Sequence, residues 1–439
     1  MGIDGLPKLI KDTAGKRAMK AYDLIKFKGM TVAVDASLMI YQTVIALRST
    51  GHDLKNKQGG LTSHLNGLFF KVINLLEHGI KPIFVFDGAA PEIKSKTLKL
   101  RKERKEAAQA TLTDLTDSED ETYIKKFRES FKPTKEDYEE CRIMLDLMGI
   151  PYIIAPGEAD VVCAWLALRN DNNGKKYVKG VCSDDSDMLA LGSPYLFKDM
   201  LKFMNGNKQV MVINLHKATK QMDLTFEQFQ DMCVLLGCDY CDRIKGIGPK
   251  GAYKLIHTHG SLEDVLEFLQ DNEKYADIDT DCMITARDYF RTAVQNLDDN
   301  TEFVLTDDNF KISKYQDTEL TDFMCVKHDF NFEKINKGME RLKKCYSRLH
   351  ITRSNNKKAH KVLKPGKFTF MVASEDDIDL LPDSEEDTAN TTIKIPQKVT
   401  SNNKPKQTKS TKPSKSTKPP KSSVTKTTPS KSGKNKHLD

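Results

Sequence analysis

Four times in the first 190 or so residues, a short apolar run ends at or just before an acid, with helical patterns between the runs. This arrangement restricts the fold more than any other feature of the chain. Thr31-Val32-Ala33-Val34-Asp35 leads into a helical pattern over 36–48. A helical stretch from Ser63 to Glu77 precedes Lys81-Pro82-Ile83-Phe84-Val85-Phe86-Asp87-Gly88. A third helix, at about 136–148, precedes Ile150-Pro151-Tyr152-Ile153-Ile154 and a turn holding Glu158 and Asp160. The fourth run, Lys179 to Ser183, is followed by Asp184, Asp185 and Asp187. Unbroken apolar runs, unlike alternating ones, belong to strands covered on both faces. Strands alternating with helices form a parallel sheet through right-handed crossovers. The expected fold class is therefore α/β, a mostly parallel sheet flanked by helices.

The strands of such a sheet present their carboxyl ends along one edge, where open α/β sheets bind ligands. Asp35, Asp87, the Glu158/Asp160 pair and the Asp185/Asp187 pair would then share a rim although they are up to 150 residues apart. Carboxylates gathered this closely raise one another's pKa or strain the fold unless a cation lies among them. An all-oxygen set with no His or Cys array beside it suits Mg²⁺ or Mn²⁺ better than zinc. Loops are rich in Asp for local reasons as well, and solvated acidic patches are the plainer reading of either pair alone.

Lys94, Lys96, Lys99, Arg101, Lys102, Arg104 and Lys105 fall within twelve residues just after Asp87. Helical spacing puts Lys94 and Arg101 on one face. The run is either a solvated basic helix or, given its place on the presumed rim, a phosphate clamp. The polar stretch 111–122 reads as a connection to a second short helix. Gly246-Ile247-Gly248-Pro249-Lys250 opens a helix and forms a helical hairpin with the apolar run ending at Gly237. Backbone N–H groups exposed at such a start suit a phosphate, although a plain helix connection remains open. Without a Lys-Ser/Thr ending the segment is not a nucleotide-triphosphate loop. Cys238 and Cys241 form a C-x-x-C with no second pair at zinc-site spacing, and read as buried thiols. Farther on, Phe303 to Leu305 suggest a strand and 333–346 a helix.

Charge is distributed unevenly. Of the net +7, residues 401–439 carry +10, residues 375–400 carry −6 and residues 1–374 only +3, so any nucleic-acid footprint on the body must be local. The Lys/Pro/Ser/Thr-rich end is expected to be disordered, as an import signal, a nucleic-acid arm or a solubilising tail. Nine scattered cysteines suit a reducing compartment. With no run long enough to span a bilayer, a soluble intracellular protein is expected.

Taken together, certain segments resemble the flap endonuclease family, the structure-specific 5′ nucleases of replication and repair. They are Gly2-Ile3-Asp4-Gly5-Leu6, Val34-Asp35-Ala36-Ser37 with Tyr41-Gln42, Phe84-Val85-Phe86-Asp87-Gly88, Ala155-Pro156-Gly157-Glu158-Ala159-Asp160, Asp185-Ser186-Asp187 with Gly192-Ser193-Pro194, and Leu236-Gly237-Cys238-Asp239-Tyr240 through Lys250. The resemblance implies a PIN-like core over 1–350, with a helical arch at about 90–135, a helix-two-turn-helix element at about 226–270, and a tail over 351–439. It implies seven metal-binding carboxylates: Asp35, Asp87, Glu158, Asp160, Asp185, Asp187 and Asp239. Asp160 stands where many relatives have Glu, and Asp184 falls outside the set. The resemblance also gives Lys94 and Arg101 the catalytic place facing the scissile phosphate. It assigns substrate contacts to Tyr41, Arg48, Lys71, Arg104, Gly246, Gly248 and Lys250.

The implied cofactors are two Mg²⁺, replaceable by Mn²⁺, with K⁺ at the helix-two-turn-helix. The implied partner is branched DNA with a 5′ flap, cut by a monomer in the nucleus or at a site of viral DNA replication. Clamp-binding relatives carry Gln-x-x-Leu-x-x-Phe-Phe after the core. Nothing beyond residue 345 matches it, Lys367-Phe368-Thr369-Phe370 being a poor substitute. Two metal ions can activate water and stabilise the leaving oxygen in phosphodiester hydrolysis. The competing readings are a 5′ exonuclease or junction-cutting relative, a DNA-junction binder without catalysis, and a small PIN-like ribonuclease.

Overall fold

A computed structural model describes residues 2–114, 120–171, 174–202, 209–275 and 278–349. The tail beyond residue 350, with its acidic and Lys-rich stretches and Lys367-Phe368-Thr369-Phe370, lies outside the described residues. Seven strands form one sheet: β1 (Met19–Asp23), β2 (Thr31–Asp35), β3 (Lys81–Phe86), β4 (Tyr152–Ile154), β5 (Val181–Cys182), β6 (Tyr195–Lys198) and β7 (Gln209–Asn214), in the order β1-β7-β6-β5-β2-β3-β4. The strands from β6 through β5, β2 and β3 to β4 run parallel, whereas β7 is antiparallel to both β6 and β1. The mostly parallel α/β expectation therefore describes the centre, and an antiparallel pair closes one edge.

The centre behaves as its composition demands. Val32, Ala33 and Val34 are fully buried, as are Ile83, Phe84 and Val85. Alternate residues of these strands enter two apolar clusters. Ala33, Ile83 and Val85 face the layer containing helix Ala159–Leu168, while Val32, Val34 and Phe84 face the layer containing helices Ala36–Arg48, Ser63–Glu77 and Lys135–Met148. The helical hairpin, Phe226–Leu236 followed by Pro249–His259, packs into the first layer through Phe229, Met232, Ala252 and Ile256. No described helix is long and apolar enough to cross a membrane.

One detail differs from the sequence reading. Phe303 to Leu305 form no strand. Phe303 instead sets its ring edge-on to Trp165 at 6.0 Å, and Leu305 is buried in the first layer, so side-chain burial produced the apolar signal there. The helix expected near 333–346 is present as Phe332–Arg348, after a π-helical turn at Asp322–Lys327.

One glycine sets how closely the strand ends approach. The Gly88 N–H donates to the Gly157 carbonyl at 2.7 Å, and a Cβ at Gly88 would overlap the Ala155 carbonyl oxygen. The opposing atom is backbone and cannot rotate away, so Gly88→Ala should destabilise the fold by about 1–3 kcal/mol. Gly251→Ala, in a helix where the new methyl would meet only the Ile247 side chain at 3.5 Å, should gain about 0.5–1 kcal/mol. Urea-unfolding midpoints of the two variants should move in opposite directions.

Candidate active site

The carboxyl ends of β2, β3, β4 and β5 deliver the acids to one rim. Asp35 ends β2 and caps the following helix, accepting the Leu38 N–H at 2.9 Å. Asp87, one residue past β3, is exposed; it accepts the Ala159 N–H at 2.8 Å, while its own N–H points at Ser37 Oγ, 3.3 Å away. That bond ties the β3 loop to the start of the helix whose N-cap is Glu158 and whose first turn holds Asp160. After β5, the Asp185 N–H donates to Ser183 Oγ at 3.0 Å and the Asp187 N–H to Asp185 Oδ1 at 3.0 Å. Asp239 arrives from the loop after helix Phe226–Leu236.

These carboxyls are held in an electrostatically unfavourable state. Burial, followed by the charge of Asp87, pushes Asp35 up to about 8. Burial and the neighbouring Asp35 and Asp185 raise Asp160 well above the carboxylate range, and burial with Asp185 does the same to Asp187. Asp187 Oδ1 is buried with no hydrogen-bond partner. An acceptor orphaned in this way is one that a bound cation or water would satisfy.

Two cations from the basic segment offset part of the repulsion. Lys94 ends a 3₁₀ turn, Glu92–Lys94, just before helix Ser95–Asp114. Its ammonium pairs with Glu158 and lies 3.0 Å from Asp239. Burial works against that charge, but Glu158 and Asp239 hold it protonated far above the usual lysine range. Arg101 forks onto both Asp239 oxygens at 2.6 and 2.8 Å. The same residues that would face a phosphate thus occupy two of the acids. Among the described residues no three His, Cys, Asp or Glu side chains enclose a common metal position.

The remaining candidates fall at different places. Tyr41 stacks on Phe131 at 5.7 Å with the Lys105 ammonium 5.7 Å from its ring, and Arg104 is exposed on the same helix as Lys105. Gly246 takes a left-handed φ of 87°, Gly248 caps helix Pro249–His259 with open space above its Cα, and Lys250 is exposed in the first turn. Arg48 and Lys71, the other two substrate contacts that the resemblance implies, have protein partners in this structure. The Arg48 guanidinium grips Asp53 at 2.8 and 2.9 Å, donates to the Phe127 carbonyl at 2.8 Å and lies over the Phe127 ring, so it fastens helix Glu121–Glu129 to the end of helix Ala36–Arg48. Lys71 is largely buried, donates to the Leu201 carbonyl at 2.8 Å, and is lowered by burial to about 8. Asp184 faces Gln42 at 3.1 Å and Lys202 at 2.8 Å.

The sequence reading missed the supports of Glu158. Tyr240 and Tyr289 donate to its Oε2 at 2.6 and 2.8 Å. Tyr240 could have been suspected from its place beside Asp239; Tyr289, fifty residues farther on, gave no signal. Gly2, at φ 78°, is also pressed so close to Asp185 and Ser186 that a Cβ would overlap both.

Comparison with known proteins agrees with this geometry. Residues 1–108 match the XPG N-terminal domain and residues 149–239 the XPG I-region. Flap endonuclease 1 of Ovis aries is 38% identical over 346 residues, covering 78% of this chain and 87% of the relative. That of Homo sapiens is 38% identical over 345 residues, with the same coverage of each. Among solved structures, flap endonuclease-1 from Methanococcus jannaschii superposes with a TM-score of 0.54 at 27% identity, over 75% of this chain and 97% of that one. The catalytic core of Rad2 in complex with DNA substrate gives 0.53 at 25% identity, over 78% and 100%. With its acids on the strand ends and its sequence shared over most of both lengths, the chain belongs to the flap endonuclease family of structure-specific nucleases.

Proposed function

We propose that this nuclease hydrolyses DNA at 5′ flap junctions, with 5′–3′ exonuclease activity, by divalent-metal chemistry. The carrying observation is the meeting of acids from four strand ends and the Asp239 loop with Lys94 and Arg101. The donor set fits a hard cation: it is all oxygen, its members raise one another's pKa, and Asp187 Oδ1 lacks a partner. Asp35, Asp87, Glu158, Asp160, Asp185, Asp187 and Asp239 would hold two Mg²⁺, with Mn²⁺ able to replace them. When bound, such ions activate water and stabilise the leaving oxygen of a phosphodiester.

The chain's own residues supply the rest. Tyr240 and Tyr289 fix the Glu158 carboxylate, and the Asp35 and Asp87 backbone bonds fix the strand ends. Lys94 and Arg101 would exchange their carboxylate partners for oxygens of the scissile phosphate, where charge develops during displacement. Gly246, Gly248 and Lys250 would hold duplex through its backbone. A K⁺ at that hairpin, a Tyr41 base contact and an arch over about 90–135 on a core ending near 350 belong to the same reading. So does action on nuclear DNA. Arg104 would meet the strand entering the arch, while sliding-clamp binding has no recognised motif to support it.

Three outcomes are expected. Asp187→Ala should lower cleavage of a 5′-flap DNA by at least about 100-fold while gel-shift binding in Ca²⁺ persists; unchanged turnover would remove Asp187 from the ligand set. Lys94→Ala should depress kcat far more than flap affinity, and a loss confined to affinity would contradict its place at the phosphate.

The third concerns pH. Asp35 has a folded-state pKa of about 8 against 3.8 for the free group, so the folded state binds the proton more tightly. Its favourable contribution is complete below about pH 4 and lost as pH rises toward 8. The Tm of metal-free protein should fall across that window, and Mg²⁺ should restore more of it at pH 8 than at pH 6. Equal Mg²⁺ shifts at both pH values would refute this.

A further inference from the structure

The loop carrying Asp239 is bracketed by two thiols. Cys238 and Cys241 place their sulfurs 3.8 Å apart, and the Cys238 N–H donates to the Cys241 carbonyl at 3.0 Å, so the four-residue turn is already closed on itself. All nine cysteines are unbridged. A disulfide requires an S–S distance of about 2.05 Å, and side chains that already face each other can make up the difference by small χ rotations. Cys282 is close by, but its thiol is engaged with the Tyr240 carbonyl at 3.3 Å, which leaves Cys238 and Cys241 facing each other.

Cys241 is buried, 5% exposed, and a small reagent would approach the pair at Cys238 or through the cavity beside Cys241. Cys238 is half-buried, and Cys241 and Cys282 line a cavity of about 340 Å³ bounded also by Lys96, Asp242 and Lys274. Inside the turn lie two groups of the active site. Asp239 receives Arg101 and Lys94, and its backbone carbonyl accepts Thr97 Oγ1 at 2.6 Å; Tyr240 donates to Glu158 at 2.6 Å. Tightening a ring that contains both residues moves both, and a displacement near 1 Å at a catalytic site can cost about 100-fold in rate.

We propose that Cys238 and Cys241 form a reversible disulfide that draws Asp239 out of place and switches cleavage off, an inference that rests on reading Asp239 as a metal ligand. The oxidant is a small disulfide such as oxidised glutathione. One protein thiolate attacks it, forming a mixed disulfide and releasing one reduced thiol. The second protein sulfur then displaces the other, so one S–S bond breaks, one forms, and the two electrons and two protons leave with the two small thiols. A dithiol reductant reverses the exchange.

The test uses the full chain, reduced and then exposed to oxidised glutathione, with free thiols alkylated before proteolysis and mass spectrometry. The peptide holding residues 238–241 should be unalkylated and lighter by two hydrogens. The kcat on a 5′ flap should drop at least tenfold with flap binding retained, and dithiothreitol should restore it. Cys238→Ser should cleave like the parent and ignore the oxidant. Absence of the mapped link, a Cys238→Ser protein still inhibited, or a link without loss of kcat would each overturn the switch. Asp239→Asn, run alongside, separates the two ideas: if it still cleaves, the ligand reading fails, while the mapped link and its kcat still decide the disulfide.

Discussion

Repulsion among carboxylates at one sheet edge is the constraint that the rest of the molecule has to meet. Asp35, Glu158 and Asp187 are each less than 10% exposed, and Asp160 and Asp185 stand among them. Charges buried in this way are tolerated only when paired, bonded or protonated. All three solutions are present: Asp87 and Asp35 accept backbone N–H groups, Glu158 and Asp239 take Lys94 and Arg101, and burial drives Asp160 and Asp187 toward their protonated forms. Each is a provisional way of carrying charge that a bound cation would carry better. On the proposed reading, Lys94 and Arg101 and a bound cation would be alternatives for the same carboxylates, and a side chain released from one partner would become available to a phosphate.

The centre of the sheet was legible because parallel strands buried on both faces leave unbroken apolar runs, as in Thr31–Asp35 and Lys81–Phe86. The antiparallel edge was not. β1 is only partly buried and reads Met-Lys-Ala-Tyr-Asp, and β7 begins on an exposed Gln209, so neither carries the continuous signal. β6 is four residues long and follows the Gly192-Ser193-Pro194 turn. At Phe303 the same apolar cue misled, since burial of a loop against Trp165 leaves the same trace as a strand.

In the candidate site, positions were more legible than partners. An acid at a strand end is placed by topology, so Asp35, Asp87 and the two pairs could be brought to one rim without coordinates. A side chain's contacts depend on what tertiary structure puts opposite it. That is why Tyr289 was invisible from the sequence, and why Arg48, beside Asp53 and two Phe rings, turned inward. The same holds for Lys71, which the fold encloses against the Leu201 carbonyl.

How the basic helix is attached decides what it can do. Helix Ser95–Asp114 buries Ala108 but leaves Leu98 and Leu100 exposed at 40% and 42%. Its fastenings to the Asp239 loop are polar: Arg101 on the Asp239 carboxylate, Thr97 on its backbone carbonyl and Lys96 on Asp242 at 2.9 Å. Hydrogen bonds and ion pairs at a wet surface exchange partners at low net cost, because water or a phosphate can replace each one, whereas a packed apolar face would have to be exposed. Elements with few buried apolar contacts are also those that open locally without global unfolding. On the proposed reading, a segment joined to the acidic rim by replaceable charges would trade its carboxylate partners for a phosphate while the sheet keeps the carboxylates in position.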